Sequence, residues 1–112
     1  MERDAATLVD IVLACRDIGS FVQGVEASAF KNDTLIRSAV IRQLEIIGEA
    51  TKRLPDAFRD AHPDISWKRM AGLRDRPIHA YDDIDISKIW QVATLDGPEV
   101  RAALEPLIAQ DD

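Results

Sequence analysis

Apolar positions recur at three- and four-residue intervals along most of the chain, and that period predicts helices. Leu8, Ile11, Val12, Cys15, Ile18, Gly19, Val22 and Val25 trace one stripe of an amphipathic helix over about residues 4–24. Asn32 or Asp33, both good N-caps, opens a second helix to about residue 54, with Leu35, Ala39, Leu44, Ile47 and Leu54 on its stripe and Pro55 closing it. Ile41 and Ile46 lie off that stripe. A helix apolar around more of its circumference usually meets two partners, and a second copy of the chain is one candidate. Residues 55–62 read as a short helix stopped by Pro63, and Ser66 reads as the cap of a helix starting at Trp67. Pro77 falls inside the continuing pattern, where a proline removes a hydrogen bond and clashes with the preceding turn at a cost of roughly 3 kcal/mol. The helix should therefore end or kink near Arg76. Asp85 is expected to cap a further helix with Ile86, Ile89, Trp90 and Ala93 inward. Asp96-Gly97-Pro98 should interrupt it, and Val100, Ala103, Leu104 and Leu107 mark a last helix. No segment alternates like a strand between hairpin turns. The expected fold is all-α, an up-down helical bundle of four main helices plus one or two short ones.

Composition narrows the class without changing this picture. At 112 residues the chain is expected to be one domain over 1–112, long enough to bury roughly two thirds of its unfolded surface. With 46% hydrophobic and 30% charged residues it has the make-up of a globular domain. Cys15 is the sole cysteine, so no intrachain disulfide can form, and its apolar neighbours suggest a small buried hydrophobe in a reducing compartment. Acidic side chains precede the first apolar run and no stretch is long enough to span a bilayer, so the expected location is cytoplasmic and no membrane is involved.

Charge sets a constraint on nucleic-acid chemistry. Fourteen Lys and Arg against twenty Asp and Glu leave a net charge of −6, whereas phosphate binding is driven by cations that release counterions. Any such site must be local. Residues 67–79 hold Lys68, Arg69, Arg74 and Arg76 against only Asp75, and Asp82, Asp83 and Asp85 follow.

Within that basic segment, Arg74-Asp75-Arg76-Pro77-Ile78-His79-Ala80-Tyr81 combines three reactive groups in eight positions. An arginine offers a permanent charge and a planar fork of donors that suits a phosphate. A histidine takes and returns a proton near neutral pH. Together they suffice to cut RNA without a metal. A base removes the proton of the ribose 2′-hydroxyl, the guanidinium stabilises charge on the phosphoryl oxygens, and an acid protonates the leaving 5′-oxygen. On a straight helix the five positions from Arg74 to His79 give about 140° of rotation and the two from His79 to Tyr81 about 200°, so convergence needs a departure from regular helix, for which Pro77 supplies a reason. The single histidine of that motif provides one proton-transfer group, whereas cleavage needs both a base and an acid. A symmetric dimer would supply two.

Arginine, four residues, histidine, one residue, tyrosine resembles the signature of HepT-like proteins of the HEPN superfamily. The surrounding text agrees over most of the chain: Ile47-Gly48-Glu49-Ala50, Pro63 with Ile65 and Trp67, Met70-Ala71-Gly72-Leu73, and Asp85 with Trp90. Ala80 and Asp82 stand where relatives often have glycine and an aromatic residue, and Pro77 where an aliphatic residue is more usual. The resemblance implies a HEPN-like bundle, a homodimer and a metal-independent endoribonuclease toxin of a toxin–antitoxin module, with Arg74 and His79 as its catalytic pair. It also implies a nucleotidyltransferase antitoxin of the MntA type that transfers AMP from ATP to Tyr81. The chain itself is expected to need no cofactor. Bulk and phosphate charge placed beside the RNA-binding cation would silence the toxin.

Each of these residues also has a plainer reading. Arg74 and His79 could be a capping arginine and a surface histidine at a helix end, and Tyr81 could anchor a loop. Asp75 and Arg76 are read as supporting residues, Asp75 orienting Arg74 or His79 or else standing as a solvated charge. His62, beside Pro63, reads as structural, and Trp67 and Trp90 as core. Arg42, Glu45, Glu49 and Arg53 have the spacing of intrahelical ion pairs, and no His-carboxylate set accompanies Glu45 and Glu49, so no metal site is expected. A second reading is a non-catalytic binding module that serves as partner and substrate of a nucleotidyltransferase.

Overall fold

The computed structural model describes residues 2–72 and 86–110. Their order is α1 (Glu2–Val22), α2 (Ala27–Asn32), α3 (Thr34–Arg53), α4 (Asp56–Asp60), α5 (Trp67–Gly72), α6 (Ile86–Gln91), a π-helical turn (Val92–Asp96) and α7 (Gly97–Gln110). There is no strand among the described residues, and the molecule is an all-α bundle. No described helix is long and apolar enough to cross a membrane.

The stripe read for the first helix forms the centre of the core. Leu8, Ile11, Val12, Cys15 and Ile18 are buried on α1, which lies between α3 and α7. Gly24, at φ +74°, takes the left-handed conformation that follows a helix end and that side chains with a Cβ rarely adopt. Asp33 caps α3 as expected: its carboxylate accepts from the Ile36 amide at 3.0 Å. Asp33→Ala should lower the unfolding free energy by about 1 kcal/mol, read as a shift in urea midpoint with an unchanged slope; no shift would mean that the cap is dispensable. At the other end Leu54 is extended, at φ −73° and ψ 136°, as the residue before Pro55 should be.

Three expectations need correction. Leu35, placed on the inner stripe of the second helix, is 79% exposed. Nine residues at about 100° each put it on the side opposite Leu44. The stripe that is buried runs through Val40, Leu44, Ile47, Ala50 and Thr51, with Ala39 only half-buried. Thr51 is satisfied there by donating to the Ile47 carbonyl at 2.8 Å. Secondly, residues 27–32 form a helix that the periodicity missed. It is six residues long, and Phe30 is its one buried residue. Thirdly, Asp96-Gly97-Pro98 does not interrupt the chain's last helical stretch. The Gly97 amide donates to the Val92 carbonyl, a five-residue step, so the helix widens for one turn and runs on into α7. Pro98, which has no amide proton to give, follows directly on this widened turn, where the regular four-residue hydrogen-bond ladder is already broken.

Among the charges of α3, Arg42 pairs with Glu45 at 3.8 Å within the helix, while Arg53 reaches across to Asp10 of α1 at 3.3 Å. The second contact is an interhelical pair where spacing alone pointed to intrahelical ones.

Candidate active site

Arg74, Asp75, Arg76, His79 and Tyr81 lie outside the described residues, as do Pro77, Ala80, Asp82 and the expected cap Asp85. What the structure gives is the frame from which that segment departs and to which it returns.

On the entry side, α5 begins where expected. The Ser66 carbonyl accepts the first helical hydrogen bond, from the Met70 amide at 3.0 Å. Trp67 anchors the helix. It is 7% exposed, and its indole N–H donates to the His62 carbonyl at 2.9 Å and the Arg59 carbonyl at 3.1 Å, which fixes the α4–α5 connection. Phe58 lies against both Trp67 and the His62 ring, at centroid distances of 6.1 and 4.8 Å. His62 therefore has the structural role read for it, through ring packing and its main-chain carbonyl. Met70 carries α5 into the core beside α3.

On the exit side, Ile89 is buried and Trp90 packs on Phe30 of α2 with ring centroids 5.0 Å apart. Both tryptophans thus serve packing, as read. Thr94 donates to the Trp90 carbonyl at 2.8 Å as the helix widens. Glycine suits position 97, because a Cβ there would stand 3.2 Å from the Val92 carbonyl oxygen, a tight contact.

Between the two sides lies a cavity of about 300 Å³. Cys15, Ile18, Leu44, Ile47 and Met70 line its apolar part, and Asp64, Arg69, Asp96 and Glu99 its polar part. Burial pushes the Cys15 thiol up to about 11, against a smaller opposing pull from the Arg101 guanidinium. It is a packing group rather than a reactive one, as read.

Arg69 changes the electrostatic reading. Its guanidinium Nη2 donates to the Asp96 carboxylate at 2.6 Å, so one of the four cations counted in the basic segment is already committed. The cavity lining has three carboxylates against that single paired guanidinium, which disfavours an RNA phosphate inside it. No group of three or more His, Cys, Asp or Glu side chains among the described residues could hold a metal ion. Sequence reasoning missed Asp96, which read as part of a helix break. Its partner is 27 positions away, beyond any local spacing rule.

The model of the family described as "Ribonuclease HepT-like" matches residues 11–107. "Putative RNase MJ1216" of Methanocaldococcus jannaschii is 39% identical over 103 residues, covering 92% of this chain and 85% of its own. "Probable ribonuclease HepT" of Thermococcus cleftensis is 40% identical over 100 residues, 89% of this chain and 91% of its own. "Putative RNase TTE0752" of Caldanaerobacter subterraneus is 34% identical over 104 residues, 93% of each. No solved structure gives a significant match. With the helical bundle, the motif and a match over nearly its whole length, the chain belongs to the HepT-like ribonuclease family.

Proposed function

We propose that this protein is a metal-independent endoribonuclease toxin, folded as one domain over 1–112. It acts in the cytoplasm as a homodimer and cuts RNA with Arg74 and His79 at a cleft between subunits. The observation that carries the reading is the family match over 11–107, which includes the arginine, histidine and tyrosine at residues 74, 79 and 81. The reaction is a transesterification. The 2′-oxygen attacks phosphorus and the bond from phosphorus to O5′ breaks. One imidazole takes the 2′-hydroxyl proton and the second, from the other subunit, protonates O5′. Arg74 neutralises the phosphoryl oxygens as charge builds, with Asp75 and Arg76 in support. The purified protein should cut single-stranded RNA in excess chelator. Cleavage that appears only on adding a divalent cation would overturn the mechanism.

Control falls to a nucleotidyltransferase antitoxin of the MntA type, with ATP used by the antitoxin. The Tyr81 hydroxyl oxygen attacks the α-phosphorus of ATP, pyrophosphate leaves, and AMP remains on the ring oxygen. The added phosphate would compete for Arg74. Incubation with the partner and ATP should add the mass of one or more AMP groups and stop RNA cleavage, with Tyr81→Phe abolishing the gain. A gain that persists in Tyr81→Phe would move the acceptor elsewhere. The net charge of −6 and the prior pairing of Arg69 favour a second reading, a binding module presented to the nucleotidyltransferase. A dimer that accepts AMP yet cuts no RNA would establish that alternative.

A further inference from the structure

We infer that Arg69 and Asp96 are positioning residues for the 74–81 segment, an ion pair that sets the separation of its two anchorages. The inference rests on the proposed catalytic role of that segment. Arg69 is in the last turn of α5, three residues before its end at Gly72; Asp96 closes the π-helical turn that continues α6, the first described element after the segment. The bond between them therefore joins the two flanks directly.

The two flanks share the hydrophobic core, but each has its main packing on other helices. α5 is seated on α3, whereas α6 and the π-helical turn are seated on one another and on α2, α1 and α7. Between these two groups lies the cavity of about 300 Å³, with Arg69 and Met70 lining it from one flank and Val92, Asp96 and Val100 from the other. Close-packed contacts fix a distance because they have no slack, and a void gives up that constraint. The 2.6 Å charge-assisted hydrogen bond restores it at a single point. The Arg69 side chain is 59% exposed and that of Asp96 21%, so the pair contributes little to global stability. Its consequence is geometric. The wide turn fits this use, since it ends on Asp96 and is permitted by Gly97.

The test compares Arg69→Asp, Asp96→Arg and the double exchange in the full-length protein. RNA cleavage is measured alongside hydrogen exchange of peptides covering 73–85. Each single reversal should lower kcat about tenfold with KM within about twofold, because small misplacement of reacting groups costs rate rather than binding. It should also speed exchange in 73–85 about fivefold or more while peptides of α1 and α3 keep their protection. The exchanged pair should bring both readouts back to within about threefold of wild type, as expected for coupled residues. Should a reversal fail to fold, Arg69→Gln and Asp96→Asn should move both readouts the same way by less. Unchanged exchange in 73–85 in both single variants would overturn the inference. So would a loss confined to Arg69 variants, expressed in KM and not restored by the exchange, which would make Arg69 an RNA contact. If wild type cuts no RNA but the exchange pattern appears, the positioning link stands and the nuclease reading falls. If His79→Ala is inactive while the pair's variants match wild type in both readouts, the reverse holds.

Discussion

His79→Ala should reduce RNA cleavage by about three orders of magnitude or more, since in the proposed mechanism it removes the proton-transfer group from both halves of a symmetric site. Arg74→Ala should cost about two to three orders, the range for losing a fixed donor to charge that develops in the transition state. The two losses should not add in Arg74→Ala/His79→Ala, because groups acting on one phosphate fail as a unit. The centre of the core, Leu8, Ile11, Leu44 and Leu104 among its fully buried members, lies on α1, α3 and α7, outside the 74–81 segment. Both substitutions should therefore leave helix content and unfolding temperature close to wild type. An activity loss of less than about tenfold in His79→Ala would remove the imidazole from the mechanism.

The largest expected effect on stability belongs to Phe30→Ala. Phe30 is completely buried, is the one buried residue of α2, and meets Trp90 at 5.0 Å. Removing its ring gives up the transfer energy of an aromatic side chain and opens a void under a six-residue helix that has no other buried residue. The expected cost is about 3–5 kcal/mol. Denaturant unfolding at fixed protein concentration measures it, the concentration being fixed because the stability of the proposed dimer would depend on it. A cost below about 1 kcal/mol would mean that α2 collapses onto α3 to refill the space. Trp90 stands on the exit flank of the 73–85 segment, so cleavage should fall more in Phe30→Ala than in Asp33→Ala even at temperatures where both are folded.

What was legible in the sequence follows from how local each signal is. The α1 stripe, the Asp33 cap, the Pro55 stop, the Ser66 start and the inward Trp67 are decided by neighbours three or four positions away, and the structure has them all. Helix α2 is shorter than two turns and buries one residue, so no period exists to detect; tertiary contact with Trp90 holds it. Leu35 falls outside the buried stripe of α3 because nine residues separate it from Leu44, about 180° around the helix, so apolar character alone does not set the register there. Asp-Gly-Pro is a strong turn signal, and it failed at residues 96–98 because a wide turn accommodates the proline and the glycine together. The proposed catalytic constellation rests on residue types and spacing, because chemistry dictates which groups such a site needs, and residues 74–81 lie outside the described residues. The Arg69–Asp96 link was not legible, because opposite charges 27 positions apart are brought together only by the fold.

In the proposed mechanism the attacking atom is a 2′-oxygen, activated by side chains and by no metal. The most direct measurement is the chemistry of the ends left on an RNA cut in excess chelator. A 2′,3′-cyclic phosphate on one fragment and a 5′-hydroxyl on the other, with a 2′-O-methyl substrate left intact, is the predicted result. A 5′-phosphate, or cleavage of the methylated substrate, would contradict it.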